Sequence, residues 1–312
     1  MKIQNRSDFL YKISLFCGLC VIFTAFAFGQ TTRSITIITE PKAIVWIDDV
    51  RFGVTDAGGQ ITLNVVSGGT RKIRVRAEGF KETTQNLLPA QKGNIKIVLS
   101  KTTDQAEITF QQAGAMSSLD REKSIALYKK AISLRPKYAE AYIEIARLLS
   151  DNGDSEEALE AIKEARKIRP IYPEASAIEG RIYKTDGEEE KAIASFKRAI
   201  SEGKGFQAEA HTGLGLLYRE KAETFGITGD FESEKEYYLL AVGELKKAVQ
   251  QLAGAPDAIT IYQLLGDSYE RIKYYKEAIA VYEEFLKIFP NVNEAVTVRS
   301  FITQIKKQMA EQ

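Results

Sequence analysis

Lys72, Arg74 and Arg76 alternate with Ile73 and Val75, so on an extended strand the three cations project to the face opposite the apolar pair. With Arg71 beside them they offer anion recognition, suited to a glycan or lipid headgroup of the cell envelope. The alternative is a solvated strand face that discourages edge-to-edge pairing. Trp46, the single tryptophan, lies on the strand face opposite Val45 and Ile47. An exposed indole would mark sugar or protein contact, whereas a second sheet or a helix over that face would bury it.

The inventory for bond-making chemistry is thin. His211 is the single histidine, and Cys17 and Cys20 are the only cysteines. Their CxxC lies in an apolar N-terminal stretch, without the strand-to-helix context of a redox motif. Metal sites and nucleophile–base triads need more such groups than the chain carries. Asp151, Gly153, Asp154 and Glu156 lack the alternate acidic spacing and the position-12 glutamate of a calcium loop, and read as a turn between helices. Gly203-Lys204-Gly205 is too short for a phosphate loop. No catalytic residue, metal or cofactor is therefore expected, and the chemistry is that of binding.

The chain has 312 residues, 44% hydrophobic and 27% charged, which is an ordinary globular composition with room for more than one domain. Lys2, Arg6 and Lys12 precede an apolar stretch from Ile13 to Phe28, with small residues Ala25, Ala27 and Gly29 at its end. This is the layout of a secretory signal peptide over residues 1–29, with an uncleaved anchor as the alternative. The chain is thus expected to be exported, to a bacterial periplasm or cell surface, with any membrane contact made through that segment. Residues 30–104 carry 11 basic and 7 acidic side chains and residues 105–312 carry 29 and 34. Neither balance has the charge density of a nucleic-acid binder.

Between Ile35 and Leu99 apolar residues recur at every second position: Ile35 and Ile37, Val45 and Ile47, Ile61, Leu63 and Val65, Ile73 and Val75, Ile95, Ile97 and Leu99. Turn formers separate the runs, among them Asp48-Asp49, Gly58-Gly59 and Gly68-Gly69. Short half-buried strands of this kind predict a small antiparallel β-sandwich over residues 30–101. Pro41, Lys42, Ala43, Val45, Ile47, Asp48, Gly53, Thr55 and the Gly79-Phe80 pair resemble the PEGA domain, a bacterial extracytoplasmic β module. The Pro41-Lys42-Ala43 stretch is one residue shorter than that family's Pro-x-Gly-Ala, which leaves a transthyretin-like or carboxypeptidase-regulatory-like sandwich as the alternative. The resemblance implies an envelope-associated, non-catalytic binding or spacer module.

After a polar linker, residues 102–106, the period changes from two to about 3.6 and helices are expected. Ala131, Ala165 and Ala199 follow one another at intervals of 34, as do Pro136 and Pro170. A constant period marks stacked copies of one helical pair. The unit from Ala139 supplies Tyr142, Ala146, Leu149, Ala158, Ile162, Ala165 and Pro170, and the next supplies Gly180, Tyr183, Ala192, Phe196 and Ala199. A later unit supplies Tyr262, Gly266, Tyr269, Ala278, Tyr282 and Pro290, and a degenerate first unit keeps Tyr128, Ala131 and Pro136. These units resemble tetratricopeptide repeats, about five of them over residues 107–290, forming an all-α solenoid closed by a capping helix over residues 291–312 that carries Val298, Phe301, Ile302, Ile305 and Met309 on one face. The fourth unit keeps Gly215 and Tyr218 but reaches its alanine only at Ala241. The extra residues, with Gly226, Gly229 and Asp230 at a turn, would lengthen two helices or project a loop.

The tetratricopeptide resemblance implies a concave groove lined by the first helix of each unit. Its groove positions hold Arg147, Arg181, Lys184 and Arg219 here, a ladder able to grip acidic side chains or a terminal carboxylate. Glu140, Glu174, Glu209 and Glu220 share that surface and would make it mixed and solvated. The expected function is that of a non-enzymatic exported scaffold holding a protein or peptide in its groove. The alternative is an envelope glycan or anionic-lipid binder working through Lys72, Arg74 and Arg76.

Overall fold

The alternating stretch forms seven strands among residues 32–311, the part of the chain that the computed structural model describes. The expected signal segment, with Cys17 and Cys20, lies outside the described residues. The strands are β1 (Thr32–Ile38), β2 (Ile44–Ile47), β3 (Val50–Val54), β4 (Gln60–Ser67), β5 (Arg71–Arg76), β6 (Thr83–Leu87) and β7 (Gly93–Lys96). They make two sheets, in the order β4-β1-β7 and β3-β2-β5-β6. The second is antiparallel throughout, whereas β1 pairs antiparallel with β4 and parallel with β7. The module is therefore not the purely antiparallel sandwich expected: its first and last strands run side by side, a pairing between distant segments that no local turn dictates.

Ile35, Ile37, Leu63 and Ile95 from the first sheet and Val45, Ile47, Ile73, Val75 and Leu87 from the second are buried in one core. This is the inward half of the period-two pattern. Arg33 is buried as well, yet its guanidinium donates to the carbonyls of Leu88, Pro89, Gln91 and Gly69. Those acceptors offset its desolvation and tie two loops together.

The polar linker between the strands and the helices is pinned at its start. Thr102 N–H donates to Gly79 O at 2.9 Å, Lys81 N–H donates to Ser100 O at 2.8 Å, and Phe80 bridges to Lys101. Asp104 caps the first helix by accepting from Ala106 N–H and Glu107 N–H. Helical structure thus starts at Gln105, slightly before the expected boundary.

Helices then alternate in antiparallel pairs: α1 (Gln105–Met116) with α2 (Arg121–Leu134), α3 (Ala139–Asn152) with α4 (Ser155–Ile168), α5 (Pro173–Thr185) with α6 (Glu189–Glu202), α7 (Ala208–Thr228) with α8 (Phe231–Leu252), and α9 (Ala258–Arg271) with α10 (Tyr275–Ile288). The small residues of the repeat let the pairs approach. Phe196 is buried between Gly180 and Gly213, where a Cβ on Gly213 would come within 2.3 Å of its ring. Tyr282 takes the same place against Gly266, at 2.2 Å. Each large ring fills a hole made by a missing side chain, which fixes the spacing between units.

In the fourth unit the extra residues lengthen both helices, to 21 and 22 residues. Gly229, at φ 81°, ends α7 in the left-handed region, and Asp230 caps α8 by accepting from Ser233 N–H. The last helix, α11 (Glu294–Ala310), buries Val298, Ile302 and Ile305 against the array, which is how a capping helix closes an open end. Among the described residues no helix is long and apolar enough to cross a membrane.

Candidate binding groove

The first helices of the units, α3, α5, α7 and α9, lie side by side and enclose a cavity of about 470 Å³. Arg147, Arg181 and Lys184 line it together with Glu209 and Thr212, and Leu216, Leu252 and Ile261 supply its apolar part. Three of the four groove cations expected from the sequence therefore meet at one place. The apolar residues escape a reading based on cations: Leu216 and Ile261 sit on first helices, but Leu252 ends the elongated α8, outside any fixed repeat frame. A second hollow of about 320 Å³ shares Lys184 and runs along the added turns of α7 past Lys221, Thr224 and Phe225.

Each of the three cations meets a carboxylate from a different unit. Arg147 Nη1 donates to Glu209 Oε1 at 3.3 Å, Arg181 Nη2 lies 3.0 Å from Asp151 Oδ1, and Lys184 pairs with Glu220. The Glu209 charge holds the Arg147 guanidinium above its ordinary range against the opposing effect of burial. Glu174, at the head of α5, is pushed up from the usual carboxylate range, because burial outweighs the attraction of Arg147. Arg181 Nε and Nη2 are both buried without a hydrogen-bond partner among the described residues, so the contact with Asp151 is an ion pair rather than a hydrogen bond. Pairs as exposed as Arg181–Asp151 and Lys184–Glu220 are worth roughly 0–1 kcal/mol. An incoming carboxylate can take the place of Asp151 or Glu220 at little net cost, so the rim can exchange its anions.

Arg219 does not belong to this rim. Its side chain is buried between α7 and α9, donating to Leu264 O at 2.8 Å, Ser268 Oγ at 2.8 Å and Asp267 Oδ2 at 2.7 Å. It lies within the ordinary length of a first helix, before the added turns of α7, and in the seam between units four and five it satisfies acceptors on α9. The expected ladder of four cations is therefore a cluster of three and one structural arginine.

The basic stripe of the sheet is not an open cationic surface either. Arg71 pairs with Asp48 at 3.1 Å, Arg76 with Glu82 at 2.6 Å, and Arg74 lies between Asp49 and Glu82. The guanidinium carbons of Arg74 and Arg76 stand 4.4 and 5.5 Å from the centre of the Trp46 ring, and Arg76 is 4.7 Å from that of Phe110 on α1. Trp46 is half-buried beneath these cations. Burial works against the Arg76 charge, but Glu82, Tyr138 and Glu107 outweigh it and raise its pKa. Lys72 alone of Lys72, Arg74 and Arg76 is exposed.

His211 is buried between α7 and α8, with Nδ1 at 2.6 Å from Glu244 Oε2 and Nε2 at 3.3 Å from Gly205 O. It braces the head of the fourth unit. Asp151 lies in the last turn of α3, and Gly153 and Asp154 form the α3–α4 turn, with Gly153 at φ 86° and Asp154 N–H bonded to Leu149 O. Among the described residues no group of three or more His, Cys, Asp or Glu side chains is placed to hold a metal ion.

Tetratricopeptide repeat family models match residues 127–160, 174–202 and 259–292. Comparison with curated protein sequences finds no match. Among solved structures, yeast Tom70 is similar with a TM-score of 0.53 at 18% identity, over 67% of this chain and 41% of Tom70. A thermophilic tetratricopeptide protein of Thermus thermophilus gives a TM-score of 0.45 at 20% identity, over 64% of this chain and 98% of its own. MamA from Desulfovibrio magneticus RS-1, residues 41 to the end, gives 0.42 at 18% identity, over 61% and 98%. With helix pairs repeating at the interval of the matched models, and a fold similar to that of Tom70, the helical part of this chain is an all-α, tetratricopeptide-like solenoid.

Proposed function

We propose that this protein is an exported scaffold that holds a short acidic segment of a partner protein in the concave groove, and that its β module is PEGA-like and envelope-associated. The observation carrying this reading is the cavity at Arg147, Arg181 and Lys184, where Arg181 and Lys184, with their exchangeable carboxylate partners, stand beside an apolar wall of Leu216, Leu252 and Ile261. Such a site takes a carboxylate on one side and an aliphatic side chain on the other. Binding needs no covalent step. The mechanism is display: a rigid array presents the segment, and the lengthened α7 extends the wall along which it can continue.

Export rests on the basic and apolar N-terminal pattern from Lys2 to Gly29. Fusing residues 1–31 to alkaline phosphatase tests it, since that enzyme is active only after leaving the cytoplasm. Groove binding is tested by fluorescence anisotropy with a fluorescein-labelled hexapeptide of glutamates ending in leucine with a free carboxylate. Saturable binding is expected, weakened at least tenfold by Arg181→Glu and by Lys184→Glu. Equal affinity of the original chain and both variants for the peptide would sink the reading.

A further inference from the structure

The outer face of the β3-β2-β5-β6 sheet is turned to the first helices, and β4 at the edge of the other sheet meets the array farther along. At the first unit Arg76 stacks on Phe110, while Gln111 of α1 donates from Nε2 to Phe80 O at 2.8 Å and accepts from Gly79 N–H at 2.9 Å. At the third unit Arg74 and Asp49 both act electrostatically on Glu174, which also feels the groove cation Arg147. At the far end, Gly254 in the α8–α9 linker faces β4 so closely that a Cβ there would stand 3.0 Å from Val65 Cβ. The core of the β module and the core of units four and five form one continuous apolar cluster.

We infer that the β module is a fixed wall of the groove: it is seated on α1, meets the α8–α9 linker, and leaves the cavity at Arg181, Lys184 and Leu216 as the place where a foreign segment enters. Its polar contacts with α1 are fully satisfied and its contact with units four and five is apolar, so lifting it would expose core. The consequence for recognition rests on the groove-binding reading above. A cavity of about 470 Å³ is on the scale of a drug-sized ligand. The partner that fits is a chain end or a few residues of an acidic loop, and a long helix laid through the whole groove is shut out.

The test uses the full chain with Cys17→Ser and Cys20→Ser, to which Val65→Cys and Gly254→Cys are added. A Cβ separation near 3.0 Å lies close to the roughly 3.5–4.5 Å of a disulfide, so most chains should crosslink internally on mild oxidation, read by mobility on a non-reducing gel and by peptide mapping. The oxidised form should bind the labelled hexapeptide within twofold of the reduced form. Free thiols that react with maleimide at the rate of exposed cysteines would overturn the wall. So would a crosslink whose closure cuts peptide affinity tenfold, because the module would then be a gate that must lift. As a second measurement without new cysteines, the single tryptophan reports on the seat. Acrylamide should quench Trp46 at least threefold less than free N-acetyltryptophanamide, and Gln111→Glu should raise the quenching, whereas quenching equal to the free indole overturns the wall. If the crosslink forms but the hexapeptide binds neither form, the groove-binding reading falls while the wall stands.

Discussion

Arg76 on the sheet and Arg181 in the groove are the same side chain put to opposite uses. Arg76 lies between the rings of Trp46 and Phe110 with Glu82 at its tip, so its charge and its stem are both spent on joining the β module to α1. Arg181 stands on a cavity rim with Nη2 buried beside a half-exposed Asp151, in a pair that water and other anions reach from the Asp151 side. Arg219 belongs with Arg76, because it is buried and saturated by acceptors. An arginine therefore becomes structural when aromatic faces or buried carbonyls surround it, and remains available for recognition when its partner is a solvated carboxylate. Substitution should separate the two classes: structural cations should change stability more than binding, and rim cations the reverse.

Arg219→Ala should have the largest effect on stability. It strips Ser268 Oγ and the Leu264 carbonyl of one donor each and leaves Asp267 with only Arg271, 3.6 Å away. The expected loss is about 2–3 kcal/mol in urea unfolding, at or below the low end of the usual cost of breaking a buried pair because Asp267 is partly exposed. If Arg219→Ala instead left the urea midpoint unchanged and abolished hexapeptide binding, the arginine would belong to the rim and the division would break. Arg76→Ala comes next, at about 1–2 kcal/mol for lost cation–π contact and its pair with Glu82. A matching rise in Trp46 quenching would sharpen the case, since it would show the seat loosening.

Arg181→Ala and Lys184→Ala should each move stability by about 0.5 kcal/mol or less, while weakening the hexapeptide roughly tenfold by anisotropy. A larger stability change at these positions would mean that the rim pairs hold the array together. The smallest effect is expected at Glu174. Burial raises its folded pKa above the unfolded value of about 4.3. Its carboxylate therefore opposes folding at neutral pH, and that penalty fades as pH falls through the raised folded value and is gone below the unfolded one. Glu174→Gln should give a slightly higher melting temperature at pH 7 and no difference at pH 3. A variant less stable at pH 7 would show that the pull of Arg147 and Arg74 on the carboxylate exceeds its burial.

The helical half was legible because its information is local. The interval from Ala131 to Ala165 to Ala199, the glycines facing Phe196 and Tyr282, and Gly229 with Asp230 at the long hairpin all act within one unit or between neighbours. For the same reason the repeat frame brings Arg147, Arg181 and Lys184 to one cavity. Arg219 holds an equivalent place in that frame, but the Leu264 carbonyl, Ser268 and Asp267 that α9 sets opposite it make it structural. The parallel pairing of β1 with β7 was equally hidden, because it joins the ends of the module and leaves no turn signature between them.

The alternation of Lys72, Arg74 and Arg76 shows the limit most clearly. Period two fixes which face the cations share, but it reads the same whether water or a helix covers that face. The amino-acid sequence by itself determined the strands, the repeating helix pairs, the long fourth unit and the faces on which charges fall, since backbone periodicity and side-chain size dictate these within a few turns of chain. Only the tertiary structure decided that Arg76 meets Phe110, that Gly254 meets Val65, and that the module thereby closes over the groove. Those contacts join residues far apart in the chain, and a cation's role is set by the dielectric and the partners that such contacts bring to it.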